Sequence, residues 1–125
     1  MKLLLDTHTL FWAVSKPKKL SEDARAAIAS EENVVFVSLA SLWEIQIKES
    51  IGKLDLPPGF FKGLIPAGFE ILAISLPHIE TLRGLPLHHR DPFDRMLIAQ
   101  AKSEQLTLAT RDEEIAKYDV QLLGA

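Results

Sequence analysis

Leu3-Leu4-Leu5-Asp6-Thr7 places an aspartate directly after three consecutive leucines. An apolar run without polar alternation reads as a short strand buried on both faces, the mark of a strand inside a parallel sheet covered by helices. In open α/β sheets ligands bind beyond the carboxyl ends of the strands. Asp6 is therefore where chemistry is expected, and other acidic residues are sought at the same edge. Thr7-His8-Thr9 follows, and Leu10-Phe11-Trp12-Ala13-Val14 begins a helical apolar segment.

The chain has 125 residues, 47% apolar and 25% charged. That suits one compact domain, expected to cover 1–125, with a core of its own. No apolar run approaches the ~18–20 residues of a membrane span. The first residues do not resemble a signal peptide, so a cytoplasmic, membrane-free location is expected. There is no cysteine, which excludes disulfides and thiolate metal sites and is compatible with a reducing compartment. A net charge of −3 argues against a simple basic nucleic-acid binder. It leaves room for an enzyme that meets phosphates through metal ions.

Outward from the first strand, strands and helices alternate. Ser21 is positioned to cap a helix over Glu22 to Ser30, with Glu22 and Asp23 in its first turn. Val34 to Val37 reads as a second buried strand. Ser38 is placed to cap a helix reaching Ser50 and stopping at Gly52, with Leu39, Trp43 and Ile47 as its apolar stripe and Leu42 and Ile45 widening it. Phe60 to Ile65 predicts a short helix, Phe69 to Ile74 a third strand, and Leu76 to Arg83 a helix. Asp91-Pro92 opens a helix through Ser103, since proline suits the first helical position. Leu106 to Thr110 is a fourth strand, Asp112 to Lys117 one or two helical turns, and Val120 to Leu123 a fifth strand. Such alternation implies a parallel sheet with helices on both faces.

Four acidic positions fall at one edge of that sheet. Asp6 ends the first strand, Glu44 lies six residues into the helix after the second, Asp94 is in the first turn of the helix before the fourth, and Asp112 follows the fourth. Two unit charges ~4 Å apart repel by about 1 kcal/mol in water and about 4 at an effective dielectric of 20. Gathering carboxylates is thus costly unless cations neutralise them, and oxygen ligation suits Mg²⁺ or Mn²⁺. Each acid also has a purely structural explanation. Asp6 can cap the first helix. Ser41-Leu42-Trp43-Glu44 matches a capping box. Asp91-Pro92-Phe93-Asp94 is a good helix start, and Thr110 or Asp112 can cap the following turn. Spacing alone leaves both explanations open.

Leu3 to His8, Val37-Ser38 with Glu44, Asp91-Pro92-Phe93-Asp94-Arg95-Met96-Leu97-Ile98-Ala99-Gln100-Ala101, and Thr110-Arg111-Asp112 together resemble the PIN-domain family. Within it they resemble VapC-type toxins of bacterial toxin–antitoxin pairs. The resemblance runs over almost the whole chain, and the Asp91 to Ala101 block is its most specific part. It implies a three-layer α/β/α sandwich with strand order 3-2-1-4-5, and a Mg²⁺- or Mn²⁺-dependent ribonuclease. It carries metal-ligand and catalytic roles onto Asp6, Glu44, Asp94 and Asp112, the last at an acidic position that varies across the family. Thr7, Ser38 and Thr110 follow as supporting polar groups. It also implies an RNA substrate, a homodimer and a cognate antitoxin covering the site. The segment Phe60, Phe61, Leu64 and Ile65, with Leu10, Phe11 and Trp12, is the candidate for those surfaces, or else core.

His8 is a candidate substrate contact, or a capping or packing residue. His88 and His89 read as loop residues rather than ligands, because hard cations prefer oxygen. Arg95 and Arg111, each next to a proposed ligand, are candidate phosphate contacts or partners for carboxylates. Lys16, Lys18 and Lys19 read as a solvated turn, with contact to an RNA backbone as the alternative. A receiver-like phosphoacceptor domain is a rival, but the chain lacks an acidic pair before Asp6. A haloacid-dehalogenase-like phosphatase wants an aspartate where His8 stands. The remaining rival is a non-catalytic binding module of the same fold.

Overall fold

The computed structural model describes residues 1–125. Five parallel strands form one sheet in the order β3-β2-β1-β4-β5. They are β1 (Lys2–Leu5), β2 (Val34–Ser38), β3 (Glu70–Leu72), β4 (Thr107–Thr110) and β5 (Leu122–Gly124). The helices are α1 (Thr7–Ser15), α2 (Glu22–Ala29), α3 (Leu39–Ser50), α4 (Leu76–Arg83) and α5 (Pro92–Glu104), with short 3₁₀ turns at Pro17–Lys19 and Ile115–Lys117. This is the expected α/β/α sandwich, in the expected strand order. No helix is long and apolar enough to cross a membrane.

β1 is the central strand, with Leu3, Leu4 and Leu5 wholly buried. Alternation along a strand sends neighbouring side chains to opposite faces. Leu4 therefore joins Leu97, Ile98, Leu108 and Ile115 on the side of α5. Leu3 and Leu5 join Leu10, Val35, Val37 and Ile45 on the side of α1 and α3. A three-leucine run is thus what a strand between two helical layers requires. β1 pairs Leu5 with Val37 of β2 and with Ala109 of β4, so these strands end at a common level. Asp6 continues the pairing by donating its N–H to the Ala109 carbonyl at 3.1 Å.

Several details differ from the sequence-based expectations. Phe60 to Ile65 forms successive turns, not a helix. The Pro57-Pro58-Gly59 lead-in and Gly63 interrupt it, and Gly59 and Gly68 take left-handed φ values of 73° and 102°. Phe60 and Leu64 are core residues, as is Leu10, so of that candidate surface only Phe61 and Ile65 are exposed. β3 keeps three residues and β5 shifts to Leu122–Gly124. On α3 the expected apolar stripe is not the buried one: Leu39 and Trp43 are exposed, while Ala40, Ser41, Glu44 and Ile45 are buried.

α5 is the most enclosed helix, with Met96 to Ala101 all buried. It lies between the sheet and α4, which explains its lack of a polar face over that span. His78 ties the two helices: its Nδ1 accepts from the Ser75 N–H at 3.0 Å and its Nε2 lies 3.0 Å from Glu104 Oε1. Because α5 carries Asp94, its packing sets the position of that carboxylate. Leu97→Ala, at a fully buried position, is expected to cost about 2–5 kcal/mol, measured by urea unfolding; a loss below ~1 kcal/mol would show that α5 is not anchored through this side chain.

Candidate functional site

Asp6 leaves the end of β1 in extended conformation and caps α1. Its Oδ1 accepts from the Thr9 N–H at 2.8 Å, and its Oδ2 accepts from the Thr110 hydroxyl at 2.5 Å. The capping explanation of Asp6 is therefore correct, and it coexists with a place in the site. Glu44 reaches the same edge from α3. Its Oε1 accepts from the Thr7 hydroxyl at 2.6 Å and its Oε2 lies 3.3 Å from Lys48 Nζ. Ser38, not Ser41, caps α3 by accepting from the Ala40 N–H, so Glu44 belongs to no capping box. Asp91 caps α5, accepting from the Asp94 N–H at 3.0 Å, which sets Asp94 in the first turn. Asp112 is held by a pair of tight turns: Thr110 Oγ1 accepts from its N–H at 3.0 Å, and its own Oδ1 accepts from the Glu114 N–H at 2.8 Å.

All four acids border one recess of about 180 Å³ with no hydrophobic residue in its wall. Thr7, His8, Lys48, His89 and Asp91 complete it. Asp6 and Glu44 are buried, and Asp94 is largely so. Burial, chiefly, together with the neighbouring charges of Asp91, Glu44 and Asp6, pushes the Asp94 carboxyl up to about 6, against the opposing hydrogen bond from His89. One ligand atom from each of His89, Asp94 and Asp112 can be chosen so that all three lie within 4.8 Å of one another, a spacing compatible with a metal ion.

A family model described as "PIN domain" matches residues 3–121. The chain belongs to the PIN-domain family. Solved structures agree at the level of fold. A chain of VapBC2 from Rickettsia felis, bound to a DNA fragment from their promoter, aligns with a TM-score of 0.72 and 18% identity, covering 98% of each chain. FitAcB from Neisseria gonorrhoeae gives 0.68 and 22%, over 98% of this chain and 96% of that one. DNA-bound VapBC from Salmonella typhimurium gives 0.67 and 20%, over 98% and 97%. A comparison with curated proteins finds no match.

In this PIN domain the four acids, Thr7 and His8 line the recess, and Thr110 stands behind it, bonded to Asp6 and to the Asp112 N–H. Ser38 does not line it and acts through α3, whose first turn it caps. The two arginines turn elsewhere. Arg95 donates to the Pro86 carbonyl at 2.9 Å and to the Tyr118 hydroxyl at 3.0 Å. Arg111 donates to the Ala125 carbonyl at 2.7 Å and to the Lys19 carbonyl, with its guanidinium 4.3 Å above the Trp12 ring. Both clamp backbone carbonyls, and neither lines the recess. His89, read from the sequence as a loop residue, is the group that reasoning missed. Its Nε2 lies 2.8 Å from Asp94 Oδ2. The Tyr118 hydroxyl accepts the backbone N–H of both His88 and His89, at 3.1 and 2.9 Å, and that clamp aims the ring. Its closeness to Asp94 in sequence was the available signal.

The raised Asp94 carboxyl has a consequence for stability. A group whose folded pKa lies above its ordinary 3.8 adds stability below the lower value and loses it as pH rises through the upper one. In chelator the parent should therefore lose stability between pH ~4 and ~7 relative to Asp94→Asn, which has no carboxylate to titrate. The check is urea unfolding of both proteins across that range. A constant difference would show that Asp94 does not feel its buried neighbours.

Proposed function

We propose that this PIN domain is a Mg²⁺- or Mn²⁺-dependent endoribonuclease and the toxin of a toxin–antitoxin pair. The observation that carries the reading is the convergence of Asp6, Glu44, Asp94 and Asp112 on one polar recess at the carboxyl edge of the sheet. The donor set fits a hard divalent cation. Carboxylate oxygens dominate it: five carboxylates face one lysine, Lys48, and two histidines, His8 and His89, in the wall. Negative charge thus exceeds positive, and after burial, the main cause, the neighbouring Asp91, Glu44 and Asp6 also push the Asp94 carboxyl upward. The four acids would hold the ion, with His89 beside them. When bound, it supplies activation of water and stabilisation of the leaving oxygen of a phosphodiester.

The chain's own groups do the positioning. Thr110 and the Thr9 N–H fix both oxygens of Asp6, while Thr7 and Lys48 fix those of Glu44. His89 holds a hydrogen bond at Asp94 Oδ2 and so limits its rotation. Burial of Asp6 and Glu44 excludes bulk water from the floor of the recess and strengthens electrostatic interactions there. The likeness to chains of VapBC and FitAB complexes supports a protein partner as antitoxin. Exposed Trp43, Phe61 and Ile65 offer apolar area for that partner and for a homodimer.

Purified protein is expected to cleave unstructured RNA with Mg²⁺ or Mn²⁺, to stop in excess chelator, and to lose activity in Asp6→Asn. Undiminished cleavage in chelator would sink the mechanism. Mn²⁺ at a hundredfold excess over Kd should stabilise the parent by about 2.7 kcal/mol and Asp94→Asn far less, read as melting shifts. Equal shifts would remove Asp94 from the ligand set. Light scattering at tens of micromolar should report a dimer; a monomer would remove only the assembly.

A further inference from the structure

A polyanion approaching a carboxylate-lined recess needs cations outside it. Beside the recess lies a second hollow of about 260 Å³, bordered by His8, Phe11, Ile45, Lys48, Lys53 and Leu54. Thr7, His8 and Lys48 border both spaces, so the two adjoin directly. We propose that this second hollow is a subsite for one unpaired base of single-stranded RNA next to the cleaved phosphodiester, with Lys53 meeting its phosphate and His8 stacking on the base. The proposal rests on the ribonuclease reading and names how its substrate is held.

Three observations support it. The hollow has the mixed chemistry of a nucleotide: Phe11, Ile45 and Leu54 give apolar wall, and two lysines give positive charge. Its volume lies below the ~300–1,000 Å³ typical of drug-sized ligand sites, which suits one base and not a duplex. The His8 ring is also held before any base arrives. It is exposed and stacks on Trp12 at 5.7 Å between centroids with 19° between planes. Arg111, anchored on the carbonyls of Lys19 and Ala125, covers Trp12 in turn. Base stacking on a ring already ordered loses little conformational entropy. Lys53 is exposed, and Lys48 is already engaged by Glu44 at 3.3 Å. Lys53 is therefore the cation with a free charge to offer.

The test uses the full chain carrying Asp94→Asn, so that bound RNA is not cut, and a fluorescein-labelled single-stranded RNA of mixed sequence read by anisotropy. Adding Lys53→Ala should weaken binding and lower the slope of log K against log salt by roughly 0.7, the value for one lost phosphate contact on a single strand. His8→Ala should weaken binding by about fivefold or more, and His8→Phe should restore most of it, because stacking needs only a ring. With Asp94 intact, His8→Ala and Lys53→Ala should raise KM more than they lower kcat. Lys102→Ala, at the far end of α5, serves as control. Unchanged affinity and salt slope in both variants overturn the subsite, and if the unsubstituted chain still cleaves RNA the ribonuclease reading stands. Failure of the unsubstituted chain to bind or cleave RNA overturns both.

Discussion

Crowded carboxylates at the end of a buried strand are the constraint on which the rest of the molecule depends. Asp6 sits at the end of β1 with both oxygens occupied by donors from its own fold. One donor is a backbone N–H of the helix it caps; the other is a hydroxyl at the end of the neighbouring strand. A buried anion is tolerable when its acceptor sites are satisfied and costly when they are not. Capping and site-building are thus one arrangement. The interaction that starts α1 also points an anion into the recess. Glu44, with Thr7 and Lys48 on its two oxygens, follows the same rule from a different helix.

Much of this was legible in the sequence, for physical reasons that differ by residue. β1 was readable because burial on both faces demands an unbroken apolar run. α5 was readable because Asp91 and Pro92 each satisfy a specific requirement of a helix start. Glu44 was readable as a candidate but not as part of a buried face. An apolar-stripe criterion selects Leu39 and Trp43, and those are exposed, because a helix beside a polar site turns Ala40, Ser41 and Glu44 inward. Small and polar residues let α3 approach the recess, and no hydrophobicity pattern contains that instruction. The Phe60 segment failed for a related reason. Its apolar content was read correctly as needing burial or a partner, but the glycines around it choose turns over a helix.

Arg95, Arg111 and His89 show where adjacency in sequence misleads. All three lie within five residues of an acid in the recess, yet only the histidine enters it. An arginine is long enough to leave the turn it sits on, and a donor fork finds carbonyls readily. Arg111 does so by joining the Lys19 and Ala125 carbonyls, the second of which also accepts from the Ser21 N–H. Arg95 does so at Pro86. Both therefore commit their charge to holding loops around the site, and the lysine charge near the recess comes from Lys48 and Lys53, on and just after α3.

Tyr118 links these pieces. It is buried at the end of the 3₁₀ turn that follows Asp112, and its hydroxyl accepts from Arg95, His88 and His89. The loop from Leu85 to Arg90 has no regular structure of its own. It is fixed by the backbone N–H groups of His88 and His89, which donate to this hydroxyl, with the Tyr118 ring edge-on to His88 at 5.1 Å between centroids. A loop tied at several backbone donors loses freedom before any ligand binds, and that preorganises whatever it presents. What it presents is His89, facing Asp94. The same 3₁₀ turn lies next to Asp112 in the chain, so packing of Ile115 and Tyr118 into the core positions two of the residues around the recess together. The strand end sets Asp6 and the helices set Glu44 and Asp94. The last side of the recess depends on one buried phenol.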